Sequence, residues 1–284
     1  MPEKLLGEEE VGGEVQREIL AKLKSLHKKT EQVPGLAVIA VDEDPTSPSA
    51  VYGEEELGKK LGYHIEVHRL SPATSAGKIR RVIRRLNDDE KIHGLFCRFP
   101  LPLHLAEDVL KAIDPAKDVG GMHPLNMGML WGGGASFIPC SALACLQALE
   151  FTKQPLHGKT VVLLGHSNIV SRPLALLLLQ KNATITMCPA LTADLPEICR
   201  SADILITEIG RPRLIKGGWI KPGAAVIDAG VTRKQDGALV GDVVLEEALQ
   251  VAEWVFPLAA REAGTLVLTM VMKNTLKTFL SKTV

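Results

Sequence analysis

Residues 163–173 read LLGHSNIVSRP, a glycine at the end of an apolar run and a proline where a helix would begin. Proline suits a first helical turn because it has no amide hydrogen to leave unpaired. Free backbone amides at such a junction attract phosphate, which makes Gly165, His166, Ser167 and Ile169 a candidate nucleotide loop. The loop keeps one glycine of the G-x-G-x-x-G pattern and has serines at Ser167 and Ser171 further along. Dinucleotide enzymes often place an acid after the second strand to hold ribose hydroxyls. The corresponding stretch here, MCPALT, has none, so a tight turn without cofactor stays open as the alternative. A second stretch, PAKDVGG at 115–121, ends in two glycines where a ligand-facing carboxylate would be expected.

Other residue types point away from metal and redox chemistry. The five cysteines, Cys97, Cys140, Cys145, Cys188 and Cys199, are scattered with no C-x-x-C pair and read as reduced core thiols. The eight histidines form no H-x-x-x-H or His/Cys cluster, so no metal site is expected.

The elements that must position these residues follow from periodicity. Val15, Ile19, Leu20, Leu23 and Leu26 recur at helical spacing over 12–29. PGLAVIAVD (34–42) is a short apolar strand, and a turn cluster containing Ser47 and Ser49 leads into a helix running to about Leu61. HIEVHRL (64–70) is a strand, 75–90 a helix with a basic, solvated face, 92–103 a strand broken by prolines, and 105–113 a helix. Strand followed by helix, three times over, predicts a parallel sheet with covered faces. A helix over 141–152 leads into a second series. This contains the glycine loop, the strands within ADILITEIG (202–210) and GAAVIDAGV (223–231), and a final helix from about 263. The loop MHPLNMG holding His123 and Asn126 reads as structural, and Asp228 reads as capping a turn. The expectation is an α/β protein of two domains. The N-terminal one is a three-layer α/β domain (1–145 plus 265–284), and the C-terminal one is Rossmann-like (146–264), with ligands at the carboxyl ends of the strands in a cleft between them.

Composition sets the class. Lys+Arg and Asp+Glu are both 33, a formal net charge of zero, so nothing draws the chain to nucleic acid or an anionic membrane. RPLALLLLQ is far shorter than the roughly 20 apolar residues of a membrane span. The acidic start lacks a signal-peptide pattern, and a cytoplasmic protein is expected.

Ten ordered blocks then carry a resemblance. DPTS, LND, IHGLFCRFPLP, IDPAKDVGGMHPLNMG, FIPCSA, GHSNIVSRP, ADILITEIGRP, IKPGAAVIDAGV, GDV and KNT follow one another within residues 44–275, in a resemblance that covers 34–276. Their order and spacing are similar to those of the bifunctional methylenetetrahydrofolate dehydrogenase/methenyltetrahydrofolate cyclohydrolases. The resemblance implies a homodimer with tetrahydrofolate and NAD or NADP as ligands. It also implies hydride transfer from 5,10-methylenetetrahydrofolate followed by hydrolysis of the methenyl product to the 10-formyl compound. On the C-terminal domain it implies cofactor contacts at Gly165, His166, Ser167, Ile169, Gly210 and Val231.

The positions the family uses for chemistry read differently in this chain. The family's S-x-x-Y-x-x-x-K places its folate-stacking tyrosine on Ala50 and its proton-handling lysine on Glu54. A two-residue slip restores Tyr52 as the aromatic and puts the lysine on Glu56. The glutamine that hydrogen-bonds that lysine falls on Arg98, and the aspartate that grips the pterin's guanidine-like edge falls on Gly120. The paired glycines before the last helix become Arg261 and Glu262. In the nucleotide loop His166 replaces arginine and Ser171 replaces glycine, and CPA after the second strand loses a serine suited to a 2′-phosphate, which favours NAD or no cofactor over NADP. The expected protein keeps the fold and is catalytically impaired. An active dehydrogenase with reduced or no cyclohydrolase activity, and a non-catalytic dimeric scaffold, are the alternatives. The opposite charges at 54 and 98 lead to a further expectation, a direct Glu54–Arg98 ion pair.

Overall fold

The structure, a computed structural model, describes residues 4–26, 31–41, 52–98, 101, 103–134, 137–235, 237–258 and 265–283. The chain forms two compact units, Glu14–Cys140 with Leu268–Val284, and Met1–Gly13 with Ser141–Val267.

The first unit contains most of α1 (Glu8–Leu26), then β1 (Gly35–Val41), α2 (Tyr52–Leu61), β2 (His64–Leu70), α3 (Ala76–Asp88), β3 (Gly94–Cys97), α4 (Leu103–Ala112) and α5 (Pro124–Trp131). Its sheet runs β2-β1-β3 with both pairings parallel. The central strand β1, GLAVIAV, is buried at every position, as expected for a parallel strand covered on both faces. Side chains alternate along a strand. Ala37, Ile39 and Val41 pack with Ile79, Ile83 and Leu86 of α3 and Leu105 and Val109 of α4. On the opposite face Leu36 is level with Gly94 in β3, and a side chain at Gly94 would strike Val119 and Thr275.

α2 is where sequence and chemistry meet. Leu57 and Leu61 are buried, Gly58 lies so close to β2 that a Cβ would fall 2.3 Å from Ile65 Cγ1, and Glu54 shares this inward stripe at helical spacing. A carboxylate thus occupies a core-facing position.

One feature differs from the sequence reading. MHPLNMG is not a loop: Pro124 opens α5, and His123 caps it by accepting the Leu125 N–H at Nδ1, 3.0 Å. Residues 4–13 group with the C-terminal unit. The Leu6 N–H donates to Val255 O and the Val255 N–H to Lys4 O, which ties this segment to the edge of the second sheet.

The paired glycines of PAKDVGG separate into two cases. Gly121 has φ +74°, and a Cβ there would lie 2.1 Å from the Ile138 carbonyl carbon, so the backbone requires glycine. A Cβ on Gly120 would meet the Phe96 ring edge at 3.2 Å and Asp118 Oδ1 at 3.8 Å. Gly121→Ala is therefore expected to cost about 3 kcal/mol or more from backbone strain and collision, and Gly120→Ala about 1 kcal/mol or less. Urea midpoints of the two variants check the contrast.

The second unit adds α6 (Cys140–Phe151), β4 (Thr160–Leu164), α7 (Ser171–Gln180), β5 (Thr184–Cys188), α8 (Leu195–Arg200), β6 (Ile204–Thr207), β7 (Ala225–Asp228), the short hairpin β8 (Thr232–Arg233) and β9 (Leu239–Val240), α9 (Leu245–Val251) and β10 (Trp254–Pro257); α10 (Thr265–Thr283) then returns to the first unit. Its five strands run β10-β7-β6-β4-β5, all parallel. The chain reverses direction across the sheet between β4 and β6, so the crevice at their carboxyl ends is the place where such folds receive ligands.

Candidate functional site

In the first unit the expected charge pair is present. Arg98 Nε lies 2.9 Å from Glu54 Oε1, with the Glu54 side chain 0% and the Arg98 side chain 25% exposed. Among the described residues neither Glu54 oxygen has an aligned hydrogen bond, so the contact with Arg98 is charge against charge rather than a directed fork. Burial pushes the Glu54 carboxyl above its ordinary range, and Arg98 partly opposes that rise. Arg98 is held by its own N–H donating to Ile39 O, 2.9 Å, at the end of β1. Of the two glutamates the sequence brings into question, Glu54 is buried against Arg98 whereas Glu56 is exposed. Tyr52 is the first residue of α2. Ala50, Arg261 and Glu262 lie outside the described residues.

Gly120 follows Asp118, a buried carboxylate turned away from ligand duty. It accepts from the His123 N–H (2.7 Å) and from Asn126 Nδ2 (3.0 Å), which locks the loop before α5. The five cysteines are all unpaired and buried. Burial raises the Cys199 thiol to about 12, which leaves it inert.

In the second unit Gly165 directly follows β4, with φ +138°. With His166, Ser167, Asn168, Arg172 and Glu208 it borders a cavity of about 350 Å³. Ile169, Gly210 and Val231 are not part of that lining. Glu208, immediately after β6, enters the glycine loop. Its Oε1 accepts from the Ser167 N–H (2.9 Å), the Ser171 N–H (3.2 Å) and the Ser171 hydroxyl, and its Oε2 from the Ser167 hydroxyl (2.6 Å). An acid is thus present at this site, from the third strand rather than the second. The sequence signal was a charged residue closing the apolar run ADILIT, which the search for an acid after the second strand passed over.

Two more carboxylates shape the same strand ends. Asp228 accepts the N–H groups of Gly230, Asp242 and Val243. Asp242 accepts the Thr207 hydroxyl and the N–H groups of Ile209, Gly210 and Arg211. Asp228 is therefore a turn cap. Desolvation raises its pKa to about 6, with the Asp242 charge adding to the rise. Because the folded value exceeds the unfolded one, this group favours the fold below about pH 4, and that contribution is lost as pH rises through 6. Carboxyl-carbon NMR is expected to find an Asp228 midpoint near 6; one near 4 would contradict this burial.

Two parallel α/β domains, the second Rossmann-like with a glycine turn at its topological switch point, define the class. The family models then identify the chain more closely. "Tetrahydrofolate dehydrogenase/cyclohydrolase, catalytic domain" matches residues 7–120 and the corresponding NAD(P)-binding domain matches residues 139–283. The chain belongs to the tetrahydrofolate dehydrogenase/cyclohydrolase family. The bifunctional protein FolD of Moorella thermoacetica is 42% identical over 279 residues, covering 98% of this chain and 99% of that protein. FolD of Dichelobacter nodosus is 40% identical, covering 97% and 96%. Among solved structures, the Trypanosoma brucei enzyme complexed with NADP and an inhibitor superposes with a TM-score of 0.91 at 30% identity, covering 99% of both chains.

The dinucleotide fit can be tested on the loop itself. The amides of Ser167 and Ser171 donate to Glu208, those of Ile169 and Val170 to Ser167 Oγ, and that of Arg172 to Ser167 O. The amides of Ser167, Ile169, Val170, Ser171 and Arg172 are therefore engaged within the loop, and with these occupied it does not fit a diphosphate as it stands. Among the described residues no helix is long and apolar enough to cross a membrane.

Proposed function

We propose that the protein is a homologue of methylenetetrahydrofolate dehydrogenase/cyclohydrolase whose catalytic domain no longer runs the family's proton chemistry. The observation that carries this reading is the buried Glu54–Arg98 pair. Hydration of a methenyl iminium needs a group that takes a proton from water while within hydrogen-bond reach of it. The position the family gives to lysine holds a carboxylate with no exposed surface, set against a guanidinium. A second loss supports the first. Gly120 has no side chain with which to grip the pterin edge, although the backbone at that position does not demand glycine.

A second reading, a dehydrogenase without cyclohydrolase activity, draws on the 38–42% identity to bifunctional relatives. Hydride transfer depends chiefly on the orientation of donor and acceptor. Folate and a nicotinamide dinucleotide are the ligands to test, and a cytoplasmic homodimer is the form proposed for the protein, which light scattering checks.

Incubation with 5,10-methylenetetrahydrofolate and NAD⁺ or NADP⁺, followed by methenyl and reduced-nicotinamide absorbance, separates the readings. No turnover above the enzyme-free rate is the expected result. Methenyl product accumulating without the 10-formyl compound supports the second reading, and stoichiometric 10-formyl formation rejects both.

A further inference from the structure

The C-terminal unit poses a question separate from the fate of the catalytic domain. Its glycine loop stands at the switch point between β4 and β6, where a dinucleotide diphosphate would meet the amides of the loop and the first turn of α7. We propose that Glu208 is an internal competitor for that diphosphate, its carboxylate holding the anion seat so that a nicotinamide dinucleotide binds only by displacing it.

Three features of the site support this. Glu208 meets two backbone amides and two hydroxyls of the same loop, Ser167 and Ser171, so one carboxylate engages four donors. Its backbone is fixed as well, since the Glu208 N–H donates to Leu164 O at 2.8 Å, next to the glycine. Finally, Gly165 is the residue against which that stem folds. A Cβ at Gly165 would fall 2.5 Å from Glu208 Cγ, so the glycine's open face, which in a nucleotide loop admits a ligand, here admits the protein's own side chain. A diphosphate arriving at these donors meets a like charge already hydrogen-bonded to them, and the two anions cannot share the seat.

The remainder of the cavity, bordered by His166, Asn168 and Arg172, is not filled by Glu208. The competition therefore concerns the diphosphate and not the nucleoside. Arg172 is itself turned to Asn168 Oδ1 at 2.8 Å and leaves Glu208 uncontested.

The test is equilibrium binding of NAD⁺, NADP⁺, inorganic pyrophosphate and adenosine to the full chain and to two variants, Glu208→Ala and Glu208→Gln. Circular dichroism and melting serve as fold controls. Removing the carboxylate is expected to tighten NAD⁺ or NADP⁺, and pyrophosphate, at least tenfold in Glu208→Ala, with adenosine unchanged within twofold. Glu208→Gln keeps the shape without the charge, and its expected gain is about threefold or more; it decides the matter alone if the alanine variant does not fold. Equal or weaker dinucleotide binding in the folded variants overturns the proposal. So does an equal gain for adenosine, or no binding to any form. Because the readout is binding and not turnover, its failure leaves the reading of the catalytic domain untouched.

Discussion

Arg98→Ala is expected to lower stability at pH 7 by about 3 kcal/mol, while Glu54→Gln changes it by about 1 kcal/mol or less. The asymmetry follows from which partner is buried. Removing one member of a buried ion pair is costly because it strands the other, typically by about 3–5 kcal/mol. Glu54 is the stranded group in Arg98→Ala, with a fully covered side chain, whereas Arg98 in Glu54→Gln retains access to water. The loss also has a defined pH dependence. The Glu54 carboxyl is already raised by burial and is lowered by Arg98, so deleting the arginine raises it further. A raised acid favours the folded state below its unfolded value and opposes it as pH climbs through the folded value. The penalty for Arg98→Ala should therefore shrink toward pH 4 and grow toward neutrality. Urea denaturation of both variants at pH 4.5 and pH 7 checks it. Equal losses for the two, or a pH-independent one, would show that the pair does not govern this site.

The largest expected effect on activity comes from installing the residues that the family resemblance puts at positions 54, 98 and 120. A triple variant, Glu54→Lys with Arg98→Gln and Gly120→Asp, should hydrolyse 5,10-methenyltetrahydrofolate at least about 10²-fold faster than the parent chain, since a positioned general acid/base contributes roughly 10² to 10⁴. The single changes should gain little, because groups acting as a unit are far from additive. Lysine alone would face Arg98, and glutamine alone would leave Glu54 without its counter-charge. Space permits the third change, as a Cβ at Gly120 asks only for a few tenths of an ångström from the Phe96 ring. Stopped-flow absorbance of the methenyl compound reads the result. A gain in Glu54→Lys alone equal to that of the triple would refute the proposed coupling.

How far these sites could be read in advance depended on the kind of signal. HIEVHRL was legible as β2, His64–Leu70, because alternation over a short run is a strand signal. Glu54–Arg98 was legible because opposite charges replaced two positions that the family resemblance makes neighbours, and the pair is present. α5 escaped because PLNMGMLW carries a glycine and little helical amphipathicity; its start is set by His123 capping and Pro124, local signals too short to outweigh a loop-like composition. The placing of residues 4–13 was not legible, because it rests on distant partners, Leu5 beside Val255 and Glu8 accepting from the Thr265 N–H. No periodicity encodes those partners. Glu208 was visible as a residue but not as a site. Its role depends on β6 lying beside β4, a crossover that no local pattern specifies.

The most direct test of the account is the first-order rate of methenyltetrahydrofolate hydrolysis by the purified chain, measured at equal concentration beside the bifunctional FolD methylenetetrahydrofolate dehydrogenase/cyclohydrolase of Campylobacter jejuni. A rate no more than about one hundredth of the relative's is the predicted result, given what a general acid/base group supplies. A rate within about tenfold of it would contradict the claim that the buried Glu54–Arg98 pair has replaced the family's proton chemistry.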